Sequence, residues 1–211
     1  MEQNGNPRIR WWSLAIFAAV APAVLVAAVR LLEAHTMLPL LASFFGAGVV
    51  AVAAATAPLG AAAPAALGFR RTGWKSIVLG TLVALAISVA VTQLGIEPEG
   101  IKQAMDLARD PALFVAALAI MAGLAPLAEE LVFRGLLYGW LAGLWGTRVA
   151  WLISSLAFAA AHVELAHVLL VLPLGLWLGW LRRRSGSLWP SLVAHMLNNA
   201  LAVGAALLPE D

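Results

Sequence analysis

Apolar stretches of about twenty residues recur along the chain, and a helix of that length crosses the roughly 30 Å hydrocarbon core of a bilayer. Candidate spans fall at 11–33, 37–57, 76–95, 111–143, 147–161, 165–181 and 187–208. The pattern predicts an all-α fold, a polytopic transmembrane helix bundle of about seven spans (eight at most). Residues 1–211 read as a single integral membrane domain, without internal repeat, linker or soluble domain. Composition agrees: 63% of the residues are hydrophobic and 11% charged, against about 25% charged in ordinary soluble domains. The absence of cysteine excludes disulfides, zinc fingers, iron–sulfur clusters and a thiol nucleophile.

The sequence pI is near 9.7, yet the net charge is only +2. The basic residues lie beside apolar runs, which suits membrane orientation and not nucleic-acid binding. With the N-terminus placed inside, Arg8, Arg10, Arg70, Arg71, Lys75, Arg148 and Arg182–Arg184 all fall on the inner side. Only Lys102 and Arg109 fall outside, in a long polar loop, "IEPEGIKQAMDLARDP" at 96–111. The positive-inside rule therefore predicts a cytoplasmic N-terminus. "MEQNGNPRIRWW" has no convincing small-residue cleavage site after it and reads as the approach to an uncleaved first span. The stretch 111–143 is too long for one perpendicular helix at 1.5 Å per residue, so it is expected to be tilted or kinked.

Against this apolar background, "PLAEELVFRGLLYGWL" at 126–141 stands out. A charge at the centre of a spanning helix opposes insertion by about 2.5–3.5 kcal/mol. Glu129, Glu130 and Arg134 together would oppose it by roughly 8–10 kcal/mol before any pairing. Glu130 and Arg134, four residues apart, can pair on one helix face. Glu129 lies about 100° away on a regular helix and is expected to turn toward His162. Other polar groups in or beside the spans are Glu164, His167, His195, Asn198 and Asn199. Phe158 shares a face with His162, as His195 does with Asn199. Glu164 and His167 read as loop groups, and Asn198 as packing.

A carboxylate beside an imidazole can deprotonate water, and a second imidazole with an amide can stabilise an oxyanion. No "GxSxG" or "HExxH" occurs, so a water nucleophile is the simpler reading. The same groups would also serve a proton-coupled transporter, although no inverted repeat or paired broken helices support that.

"EELVFRG" (Glu129, Glu130, Arg134), "FAAAH" (Phe158, His162) and "HMLNN" (His195, Asn199), in that order, resemble the EExxxR, FxxxH and HxxxN/B motifs of the CPBP family. This family of intramembrane proteases includes the type II CAAX prenyl endopeptidases and bacteriocin-processing enzymes. The resemblance places a motif-bearing protease core at 111–208. It implies that Glu129 and His162 activate water, that His195 and Asn199 form the oxyanion site, and that Glu130, Arg134 and Phe158 support them. It also implies a membrane-embedded or lipid-associated protein or peptide substrate, an integral position in a prokaryotic plasma membrane, and no nucleic-acid partner. A metal-dependent version would bind zinc through His162, His195 and Glu129, a His₂Glu set. A catalytically silent scaffold, immunity or regulatory protein of the same fold is the alternative from another class.

Overall fold

A computed structural model describes residues 8–96 and 98–207. The first seven residues, Glu97 and residues 208–211, including the last position of the seventh expected span, lie outside the described residues. Among the described residues every regular element is helical. Seven helices carry the fold: α1 (Trp11–Leu31), α2 (Met37–Thr56), α3 (Trp74–Thr92), α4 (Glu99–Arg109), α5 (Phe114–Ala160), α6 (Leu165–Ser185) and α7 (Trp189–Ala205). Helix α2 continues through a 3₁₀ turn, Ala57–Ala62, into the short helix Ala63–Leu67.

Among the described residues, five helical segments are long and apolar enough to cross a membrane: α1, Met37–Leu67, α3, α5 and α6. The chain is thus an all-α membrane bundle. One of the seven expected spans is absent from this set, and two others are joined in it. Helix α7 is only 17 residues long. The expected fourth and fifth spans fall on either side of Gly146 (φ 81, ψ 168), as two helices that meet at a kink within one 47-residue run, α5. That backbone conformation is essentially restricted to glycine, so the chain turns on one residue where a loop was expected.

The polar segment 96–111 also differs from expectation. It forms α4, an amphipathic helix. Ile101, Ala104, Met105 and Ala108 recur at helical spacing, and Ala108 is fully buried. Glu99, Lys102, Gln103, Asp106 and Arg109 face out. The apolar side packs into a cluster with Leu38, Ala117, Val203 and Ala206. Charge hid this helix, because a search for continuous apolar runs misses a helix with one apolar face.

Lipid offers little hydrophobic drive between helices, so close packing of small residues matters more. Gly175 and Gly179, four apart on α6, meet α5. A Cβ on Gly175 would lie 2.9 Å from Phe158 Cδ1, and one on Gly179 would lie 2.3 Å from Ser155 Oγ. The bundle is tied at two ends. At one, the amide of Leu188 donates to Gly68 O (2.7 Å) and Ser187 Oγ to Arg70 O (2.7 Å). This end gathers Arg70, Arg71 and Arg182–Arg184, which the loop charges assigned to one side. At the other end, the amide of Glu99 donates to Glu164 Oε1 across 3.2 Å.

Candidate active site

The site is built on an irregular stretch of α5. Pro126 lacks an amide proton, and in a regular α-helix its ring would collide with the carbonyl of Ala122. The chain instead widens into a π-turn over Ala119–Leu124, returns to α over Ala125–Glu129, then widens again over Glu130–Leu137. Such π segments recur at functional positions in helical proteins. Glu129 and Glu130 sit on the boundary between the two geometries.

Within the second π segment, Arg134 and Glu130 are fully buried and paired, Nη1 to Oε1, at 3.0 Å. A buried pair of charges persists only with further hydrogen bonds, and neighbouring helices supply them. Arg134 Nη2 donates to Gly175 O on α6 at 2.9 Å. His195 Nδ1, from α7, lies 3.1 Å from the same Glu130 oxygen. The other ring nitrogen, Nε2, is 3.5 Å from Glu129 Oε2. His195 thus stands between the two glutamates, linking α5 to α7. Its ring is almost wholly buried (3% exposed), whereas the Glu129 side chain keeps 18% of its surface open.

Phe158 is the hub of the apolar side. The guanidinium of Arg134 lies over its ring at 4.1 Å, close enough for a cation–π contact. The rings of Phe133, His162 and His195 meet Phe158 edge-on at 5.6, 5.1 and 5.7 Å. The bare Cα of Gly175 leaves room for this ring.

His162 follows the last turn of α5, in the connection to α6. Its Nδ1 is 3.0 Å from Phe158 O. A carbonyl only accepts, so Nδ1 carries the proton and Nε2 keeps its lone pair. Burial pushes the imidazole below the ordinary histidine range. The ring of His167 packs against it at 4.5 Å, and Glu164 is held by the first amide of α4. Asn199, one turn beyond His195, donates from Nδ2 to Met121 O in the first π-turn at 3.0 Å. Asn198 is buried with its Oδ1 unpaired among the described residues.

All seven motif residues therefore gather around one region, but the pairing differs from the expected one. The recorded partner of Glu129 is His195, and among the described residues no hydrogen bond joins Glu129 to His162. The π-turns change rise and rotation along α5, which a ruler of 1.5 Å and 100° per residue cannot follow. Nor do His162, His195 and Glu129 form a ligand set: among the described residues no three His, Asp or Glu side chains are placed to hold a metal ion. Two contributors were missed from sequence, the Gly175–Gly179 pair and Arg182. A "GLWLG" reading as small-xxx-small would have revealed the first.

Comparison with known proteins points to the same segment. Residues 111–201 match the family described as "Type II CAAX prenyl endopeptidase Rce1-like". A Bacillus subtilis (strain 168) protein named "Putative membrane peptidase YdiL" is 29% identical over 127 residues, which are 60% of this chain and 51% of that protein. The chain thus matches about half the length of this curated relative. No solved structure matches it.

Proposed function

We propose that the chain is an intramembrane endopeptidase of the CPBP type, a reading supported by the family match over residues 111–201, and that Glu129 activates water in it. The observation that carries this reading is the chain of contacts Glu129–His195–Glu130–Arg134, joining α5 to α7 inside an apolar bundle. Glu130 is committed to Arg134 and His195. Glu129 is the more open carboxylate, with one loose contact at 3.5 Å.

Glu129 accepts a proton from water as the water oxygen bonds to the scissile carbonyl carbon. His162, whose Nε2 keeps a lone pair, assists this proton transfer. Negative charge develops on the carbonyl oxygen, toward an N–H of Asn199 and toward His195, whose Nε2 donates when the ring carries both protons. An amide carries two N–H bonds, and Asn199 spends one on Met121. The C–N bond then breaks as the proton held by Glu129 passes to the leaving amine. Glu130, Arg134 and Phe158 hold these groups in place. No step runs through a metal.

The substrate is a membrane-embedded or lipid-associated polypeptide, since Glu129, Glu130 and Arg134 lie in a helical run apolar enough to span. The N-terminus faces the cytoplasm, with Arg70, Arg71 and Arg182–Arg184 on that side. Comparative membrane proteomics tests the activity. Cells carrying Glu129→Gln should accumulate uncut precursors that the wild type converts, and identical peptide profiles would contradict the reading.

A further inference from the structure

We propose that Arg182, outside all three motifs, is a positioning residue that holds the π-turn carrying Glu130 and Arg134. The inference rests on the proposed activity only for its kinetic consequence. Its structural content stands on the backbone of α5.

In a regular α-helix the carbonyl of Arg134 would accept the amide of Tyr138. Here that amide is directed to Phe133 O and Gly135 O instead. A buried carbonyl left without a donor costs about 1–3 kcal/mol. Arg182 supplies the donor from α6: its Nε lies 3.0 Å from Arg134 O.

The rest of the side chain is fitted to that task. Arg182 is only 7% exposed, and its guanidinium carbon stands 4.8 Å from the Tyr138 ring centre. Gly68, at φ +100, forms the opposite wall, where a Cβ would fall 2.5 Å from Nη2. Among the described residues no carboxylate lies within ion-pair distance of Arg182. A buried cation without an ion pair is a poor device for stability alone. Its neighbours Arg183 and Arg184 suffice for a charge rule that counts loop cations, so orientation does not require Arg182 itself. One guanidinium thus stands against Gly68 of the α2–α3 connection and joins α6 to the backbone of α5 at Arg134.

Amide hydrogen exchange on the full chain in lipid nanodiscs tests this without relying on turnover. In Arg182→Met, exchange over 130–139 should quicken at least tenfold relative to the wild type, while 150–160 of the same helix stays unchanged. Arg182→Lys, which keeps the charge but not the Nε geometry, should show the same local rise with unaltered melting, and serves if the methionine variant does not fold. Where a cleaved substrate is in hand, both variants should lower kcat at least tenfold with KM within about twofold. No change over 130–139 in either variant, or a uniform rise along the whole of α5 in both, overturns the proposal. A wild type that cleaves nothing, with the local exchange still responding to Arg182, would sink the proposed activity and leave the positioning role standing.

Discussion

At the residue scale, the molecule resolves two adjacent glutamates into different circumstances. Glu130 is sealed between Arg134 and His195, whereas Glu129 keeps an open edge. Removing one partner of a buried ion pair leaves an uncompensated charge, which costs about 3–5 kcal/mol. Arg134→Met should therefore lower stability by about that amount, read as thermal unfolding in detergent. Unchanged melting would show that the pair contributes little. His162 carries a pH prediction. Its folded pKa lies below the ordinary value near 6.5 because burial disfavours the charged ring. The lone pair on Nε2 is thus available at neutral pH and is lost only below the usual histidine range. Cleavage should hold as pH falls through about 6.5 and decline only further down. In His162→Gln, any remaining cleavage should lack that acidic limb.

Element by element, legibility followed chemistry. The spans were visible because lipid demands long apolar runs, and the motif residues because charge in such runs is conspicuous. What stayed hidden was local backbone geometry. The π-turns beside Pro126 and over Glu130–Leu137 alter which side chains meet; Pro126 marks an irregularity, but not the geometry that follows from it. The expected break near 143–147 proved to be one glycine. At Gly146, with φ 81 and ψ 168, a Cβ is strained whatever the surroundings. Gly146→Ala should destabilise by about 1–3 kcal/mol, measured against Gly143→Ala, where the added Cβ meets nothing within 4 Å and φ is not positive. Gly175→Ala probes packing: its Cβ would press on Phe158, an overpacking cost of about 1–3 kcal/mol. Because Phe158 touches both His162 and His195, this variant should lose cleavage as well as stability.

For the whole molecule, sidedness is what the loop charges predict and what the two tied ends of the bundle make testable. The chain has no cysteine, so single cysteines report cleanly. Arg71→Cys and Gln103→Cys, both at exposed positions, should be labelled by impermeant maleimide from opposite faces, the first from the cytoplasm. Labelling from the same face would overturn the topology. Helix α4, read from sequence as a loop, covers the end where α5 joins α6. His162 and His167 lie at that end too. The order of the motifs was therefore legible, but their meeting around Phe158 and His195 depends on helix contacts that no single stretch encodes.

The central claim is that Glu129 activates water, and turnover by the purified protein measures it most directly. Wild type and Glu129→Gln, reconstituted in nanodiscs, would be assayed on a precursor identified by the membrane proteomics. The account predicts cleavage by the wild type and none above background by Glu129→Gln, with both proteins monodisperse and melting alike. Cleavage by Glu129→Gln at more than about a tenth of the wild-type rate, far above what loss of a general base usually leaves, would contradict it.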